Sequence, residues 1–140
     1  MPAHMLFRRY AMKETDFARY LTQFLAVYLP GQVGSKRNTQ LAYRDSFSLF
    51  LRYCRDQESL LPEKMTIANV NRELILRFLQ WMEEERNCKA STRNQRLAAI
   101  HSFFSFLMVE EPQYIQQSQK ILAIPMKKNG YATTHVSSVG

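Results

Sequence analysis

The sequence predicts an all-α domain, and three observations carry that expectation. Apolar residues recur at three- and four-residue steps in four long stretches, the mark of one buried face per helix. Glycines and prolines number only four and five in 140 residues and fall between those stretches, never inside them. An apolar fraction of 46% with 12% aromatic residues supplies enough material for a packed core, and the length suits one domain.

Each element can be justified in order. Residues 1–13 are basic and mildly apolar and read as an arm whose Arg8, Arg9 and Lys13 are solvated. A first helix is expected over about 15–29, with Phe17, Leu21, Phe24, Leu25 and Tyr28 as its stripe and Pro30 and Gly31 as its stop. The second, over about 36–55, has Tyr43, Phe47, Phe50 and Cys54 as its inner line, broadened by Leu41 and Leu51. Arg37, Arg44, Ser48, Arg52 and Arg55 fall on another face. Charged stripes are usually only solvated faces; one made almost wholly of arginine suits a planar, bidentate anion better than lysine would.

A connection over 57–70 carries Pro62 and an apolar patch of Met65, Ile67 and Val70. The third helix then opens on Asn71 as N-cap, with Glu73 in the first turn and Val70 stapled onto Ile75. Leu74, Phe78, Leu79 and Met82 point inward. Glu83, Glu84 and Glu85 form an acidic end, expected to face away from any nucleic acid. The fourth helix is expected over about 92–109, with Leu97, Ile100, Phe104, Leu107 and Met108 inside and Pro112 beyond its end. A shorter fifth helix over about 113–122 is anchored by Tyr114, Ile115 and Ile121. Residues 123–140 begin with IPMKK and end in GYATTHVSSVG without periodicity, and read as a linker towards a partner domain. The division is therefore an arm over 1–13, a helical domain over 14–122 and a tail over 123–140.

The chain also repeats itself. Residues 35–51, SKRNTQLAYRDSFSLFL, align without a gap on 91–107, STRNQRLAAIHSFFSFL. Ser35/Ser91, Arg37/Arg93, Asn38/Asn94, Leu41/Leu97, Ala42/Ala98, Ser46/Ser102, Phe47/Phe103, Phe50/Phe106 and Leu51/Leu107 are identical. The apolar identities are shared by any two amphipathic helices, and two copies do not make a solenoid; the Ser-x-Arg-Asn openings are less expected. Ser35 and Ser91 are candidate N-caps. A helix N-terminus presents unpartnered N–H groups and about half a positive charge, so Lys36 and Arg37, and Arg93 and Arg96, make two candidate phosphate seats.

The formal charge of +7 points to a polyanion, nucleic acid or an acidic membrane surface. The positive charge is segregated, for 89–107 holds Lys89, Arg93 and Arg96 and no acid. Arg, Lys and helix-end N–H groups hold phosphates, while Asn and Arg also read base edges. The candidate contacts are Lys36, Arg37, Asn38, Thr39 and Arg44 on one helix, and Ser91, Thr92, Arg93, Asn94 and Arg96 on the other. Tyr43 either extends this footprint or packs in the core, and His101 is open between a phosphate contact and an ordinary surface residue. Catalytic groups are scarce: no two histidines share a helix face, there is no Gly-rich phosphate loop, and the three consecutive glutamates diverge around their helix. Cys54 and Cys88 lie far apart without metal-ligand companions, so neither a disulfide framework nor a metal is expected. No apolar run approaches a membrane span, and the start lacks a signal-peptide core. A cytoplasmic protein is expected, nucleoid-associated when bound to DNA, with no cofactor and no small-molecule substrate.

The order S-K-R-N-T-x-x-x-Y-x-x-x-F-x-x-F-L, then F-L-x-W-M in an acid-ended helix, then S-T-R-N-x-R-L-A-A-I-H-S-F-F-S-F-L, resembles the N-terminal core-binding domain of tyrosine recombinases of the phage-integrase type. The resemblance covers about residues 17–128. It implies a four- to five-helix SAM-like bundle forming one half of a clamp on double-stranded DNA. The N-terminal halves of the second and fourth helices would lie against the major groove and flanking phosphates. It also implies first- and fifth-helix contacts with other recombinase protomers, and a tyrosine nucleophile housed in a separate C-terminal domain. On that basis this chain is expected not to cut or join strands alone, and neither Tyr114 nor Tyr131 is the nucleophile. GYATTHVSSVG departs from a charged lead-in to such a domain. The alternative to a DNA-binding module is a helical interaction domain that docks an acidic protein on its basic face.

Overall fold

The computed structural model describes residues 14–128 apart from Val33 and Ser35. The basic arm over 1–13, the Ser35 cap and residues 129–140 of the expected 123–140 tail lie outside the described residues. Five helices run in order: α1 Asp16–Gln23, α2 Arg37–Gln57, α3 Arg72–Glu85, α4 Ala90–Glu110 and α5 Ile115–Leu122. Short 3-10 turns at Pro62–Lys64, Ile67–Asn69 and Pro112–Tyr114 join them, and there is no strand among the described residues. This is the all-α bundle expected from the apolar spacing.

Local chemistry sets the boundaries. Thr15 caps α1 by accepting from the Ala18 amide at 3.1 Å, and Asn71 caps α3 by accepting from the Leu74 amide at 2.9 Å. Thr66 and Asn69 form a reciprocal capping box on the second 3-10 turn. Past Gln23 the chain continues as a π-turn over Phe24–Tyr28, with the Leu29 amide donating to the Phe24 carbonyl at 2.9 Å. The wider turn shifts the register, so that both Phe24 and Leu29 are buried while Tyr28 is 38% exposed. α2 and α3 end alike, on residues in the left-handed region: Ser59 at φ 54° and Asn87 at φ 51°. The next amide in each case turns back, Leu60 to the Cys54 carbonyl and Cys88 to the Met82 carbonyl.

The core is aromatic. Phe24 lies within 5.5–6.3 Å of Tyr43, Phe47, Phe103 and Phe106, ring centre to ring centre. A second cluster joins Phe50, Tyr53, Phe78 and Trp81 between α2 and α3. Burying one such side chain contributes roughly 1.5–3 kcal/mol. Most of the inner lines match the expected ones, but Leu41, Tyr28 and the α5 residue Ile115 stand at the edges of their stripes and are 44%, 38% and 39% exposed. Met108 is only half-buried, and Phe103 and Phe106 are buried as well. α4 carries apolar residues on most of its circumference because it packs against α2, α3 and α5 at once. Asp16 ties α1 to the rest: its carboxylate accepts from the Phe17 and Ile67 amides at 2.6 and 2.9 Å and from the Tyr114 hydroxyl at 3.2 Å.

The two repeated segments meet. Phe47 packs edge-on against its own repeat equivalent, Phe103, at 5.8 Å. The equivalent serines cross-link the same pair of helices: Ser46 accepts from Arg96 Nη1 at 3.1 Å, and Ser102 lies 3.1 Å from the Tyr43 hydroxyl.

Candidate nucleic-acid interface

The opening of α2 is solvated throughout. Lys36, Arg37, Asn38, Thr39 and Arg44 are all exposed, as are Ser48, Arg52 and Arg55 further along. Lys36 occupies the N-cap position and gives the first turn no side-chain cap, so the free N–H groups of that turn reinforce the positive charge. Arg55 is the exception on this face, since its guanidinium is held by Asp56 at 2.9 Å. Among the described residues Arg37 and Arg44 enter no ion pair.

The opening of α4 is built differently. The helix begins at Ala90 with Lys89 at the N-cap, so Ser91 lies inside the first turn and is not the cap. Arg93 is buried, 9% exposed. Its Nε stands 3.3 Å from Glu83 Oε1, an ion pair without hydrogen-bond alignment, and its Nη1 donates to the Pro125 carbonyl at 3.1 Å and to Asn94 Oδ1 at 3.2 Å. The expectation that Arg93 is an open phosphate seat is therefore not met, because α3 packs its acidic end against that opening. The same contact brings Glu83, at the acidic end of α3, against the basic opening of α4. Asn94 is half-buried and engaged with the backbone of Lys127. Arg96 reaches across to Ser46 on α2. Ser91 is exposed and Thr92 half-exposed.

His101 faces the interior edge of α5, with Nε2 donating to the Ile121 carbonyl at 3.0 Å. Burial holds its pKa below the usual 6.5, partly offset by that carbonyl and helped by the nearby Arg93 charge. The ring is thus neutral near pH 7 and fastens α4 to α5. Tyr43 resolves towards packing, stacked on Phe24 with its hydroxyl on Ser102. Cys54 is a fully buried core residue, and that burial pushes its thiol up to about 12. Among the described residues no helix is long and apolar enough to cross a membrane.

The sequence placed equal weight on the two openings, and the geometry separates them. It missed Glu83 and Lys127 as partners of the α4 opening, since neither shares a helix or a motif with it. Arg52 belongs to the exposed face of α2 and was legible there from its spacing.

Among the described residues, a strandless bundle of five helices around an aromatic centre, with the cationic opening of α2 left to solvent, is a small all-α module. Residues 21–111 match the phage integrase N-terminal SAM-like domain, and the chain belongs to that family. The putative integrase/recombinase y4rD of Sinorhizobium fredii is 33% identical over 119 residues, covering 82% of this chain and 42% of that protein. The putative integrase/recombinase y4rC of the same organism is 32% identical over 116 residues, 83% of this chain and 35% of that protein. Tyrosine recombinase XerC of Herpetosiphon aurantiacus is 37% identical over 87 residues, 62% of this chain and 26% of that protein. The chain thus spans less than half the length of the relatives it matches. No solved structure matches it.

Proposed function

We propose that this chain holds duplex DNA for a site-specific tyrosine recombinase, chiefly through the opening of α2. Lys36, Arg37 and Arg44 take phosphates, and Asn38 and Thr39 lie where they can reach a backbone oxygen or a base edge. Ser91 and Thr92 add hydroxyl contacts from α4. With residues 125–128 docked, Arg93, Asn94, Arg96 and His101 act on the protein side, positioning α4 against α2, α3 and α5. Double-stranded DNA is the partner, and strand cleavage belongs to chemistry outside these helices. The observation that carries the reading is the solvation of the Lys36, Arg37 and Arg44 side chains at the uncapped start of a 21-residue helix, in a chain of net charge +7 that belongs to an integrase family.

Fluorescence anisotropy with a generic labelled duplex tests it. If about five phosphates are neutralised, log K falls with log salt at a slope of about −4 to −5. No binding at low salt, or a slope near zero, contradicts the reading and favours an acidic protein as the partner of the basic face.

A further inference from the structure

The α4 opening is a seat for extended peptide, and the chain's own residues 125–128 lie in it. Asn94 presents its carboxamide to Lys127: Nδ2 donates to the Lys127 carbonyl at 2.5 Å, and Oδ1 accepts from the Lys127 amide at 2.7 Å. Arg93 Nη1 donates to the Pro125 carbonyl at 3.1 Å. Lys127 Nζ pairs with Glu83, the carboxylate that also faces Arg93. Pro125 suits such a strap, because its fixed φ favours an extended path and it has no N–H to leave unpaired.

We infer that this strap and duplex DNA compete for Arg93 and Asn94, so that these two side chains join the grip of Ser91 and Thr92 only when residues 125–128 lift away. The inference rests on the DNA-holding reading above. The repeat supplies the comparison: Arg37 and Asn38, equivalent to Arg93 and Asn94, stand exposed on α2. The donor–acceptor pair that Asn94 spends on Lys127 is the pair an asparagine offers to the edge of adenine, and it cannot serve both at once. Arg93, 9% exposed, cannot reach a phosphate while it holds the Pro125 carbonyl and Glu83.

Lifting the strap exposes little apolar surface. Ile124 is buried at 1% and anchors its start, whereas residues 125–128 are exposed, with Met126 already at 44%. The polar contacts of Asn94, Arg93 and Glu83 hold the strap beyond Ile124, and because none of residues 125–128 is buried it can peel from Pro125 without opening the core. If it is docked in about nine molecules of ten, its release raises the apparent affinity of this opening about tenfold. Reciprocity then requires duplex to loosen the strap by the same factor.

The test compares Glu83→Gln with Glu85→Gln in the full chain. Each removes one negative charge from the end of α3, but Glu85 is exposed and, among the described residues, holds no ion pair. Amide exchange at Lys127, followed by NMR, reads the strap, and anisotropy with a generic duplex at low salt reads binding. Glu83→Gln should speed exchange at Lys127 and tighten duplex binding about three- to tenfold beyond Glu85→Gln. Adding duplex to the unaltered chain should speed the same exchange, an arm that needs no variant. Equal affinities in the two variants, a Lys127 amide unprotected from the start, or slower exchange on adding duplex each overturn the competition while leaving the DNA reading intact. No duplex binding by any of the three chains removes the DNA reading and the competition with it.

Discussion

Arg93 faces Glu83 at 3.3 Å across the seam between α3 and α4, and this pair separates two arginines that the sequence repeat treats as equals. Arg37 occupies the matching position on α2 and is solvated. One guanidinium belongs to the fold, and the other is available to a ligand.

Arg93→Ala should therefore destabilise the domain and Arg37→Ala should not. Removing Arg93 leaves the Pro125 carbonyl without its donor and Glu83 with Lys127 alone. Because Glu83 stays 28% exposed, the loss should be about 1–3 kcal/mol, below the full cost of stranding a buried charge. Arg37→Ala should stay within about 0.5 kcal/mol, as for most surface changes. Urea denaturation of the two variants checks the contrast, and equal stabilities would mean that the seam pair is idle.

Asp16 is a second place where one side chain joins distant segments. Asp16→Ala strips acceptors from the Ile67 amide and the Tyr114 hydroxyl. The expected cost is about 2–3 kcal/mol, because a half-buried donor is left unpaired and the start of α1 loses its acidic residue. Thermal melts measure it. Tyr114→Phe, which removes only the long 3.2 Å bond, should cost less than half as much.

The left-handed residue after α2 gives a prediction of opposite sign. Ser59 is exposed and held at φ 54°, a conformation that costs a residue with a Cβ about 1 kcal/mol and glycine almost nothing. Ser59→Gly should stabilise the domain by about 0.5–1 kcal/mol, read as a higher urea midpoint with an unchanged slope. A lower midpoint would show that the serine side chain holds the turn.

His101 sets a pH dependence. Its folded pKa lies below the ordinary 6.5, so the unfolded chain binds the extra proton more readily than the folded one. Its contribution is complete above about 6.5 and is lost as pH falls through the window between 6.5 and the folded value. Melting temperature should accordingly drop between pH 7.5 and 5.5, and His101→Gln should flatten that drop. An undiminished slope in the variant would assign the effect to other groups. Glu58 beside Arg77 and Asp56 beside Arg55 have lowered pKa values and act only below about 4.5.

Much of the fold was legible because it depends on periodicity and caps, which are local. Phe17, Leu21 and Phe24, or Asn71 followed by Leu74, declare themselves within one turn of chain. The basic face of α2 was legible for the same reason, since Arg37, Arg44 and Arg52 share a helix. The α4 opening was not. Whether Arg93 meets solvent depends on where the end of α3 and residues 125–128 come to rest, and no pattern within residues 91–107 encodes that. His101 failed similarly, its environment being set by the Ile121 carbonyl on another helix. The expectation for Leu41 went wrong at the edge of a stripe, where a small rotation of α2 moves a residue between core and solvent.

The central claim, that α2 carries the grip on DNA, is tested most directly by the salt dependence of duplex affinity in two triple variants of equal charge. One replaces Lys36, Arg37 and Arg44 with alanine; the other replaces Lys64, Arg86 and Lys120, exposed cations on other elements. The account predicts that the first lowers the magnitude of the slope of log K on log salt by about 2–3 and weakens binding at every salt concentration, while the second leaves the slope nearly unchanged. Equal losses in both variants would contradict it, assigning the affinity to diffuse positive charge rather than to the opening of α2.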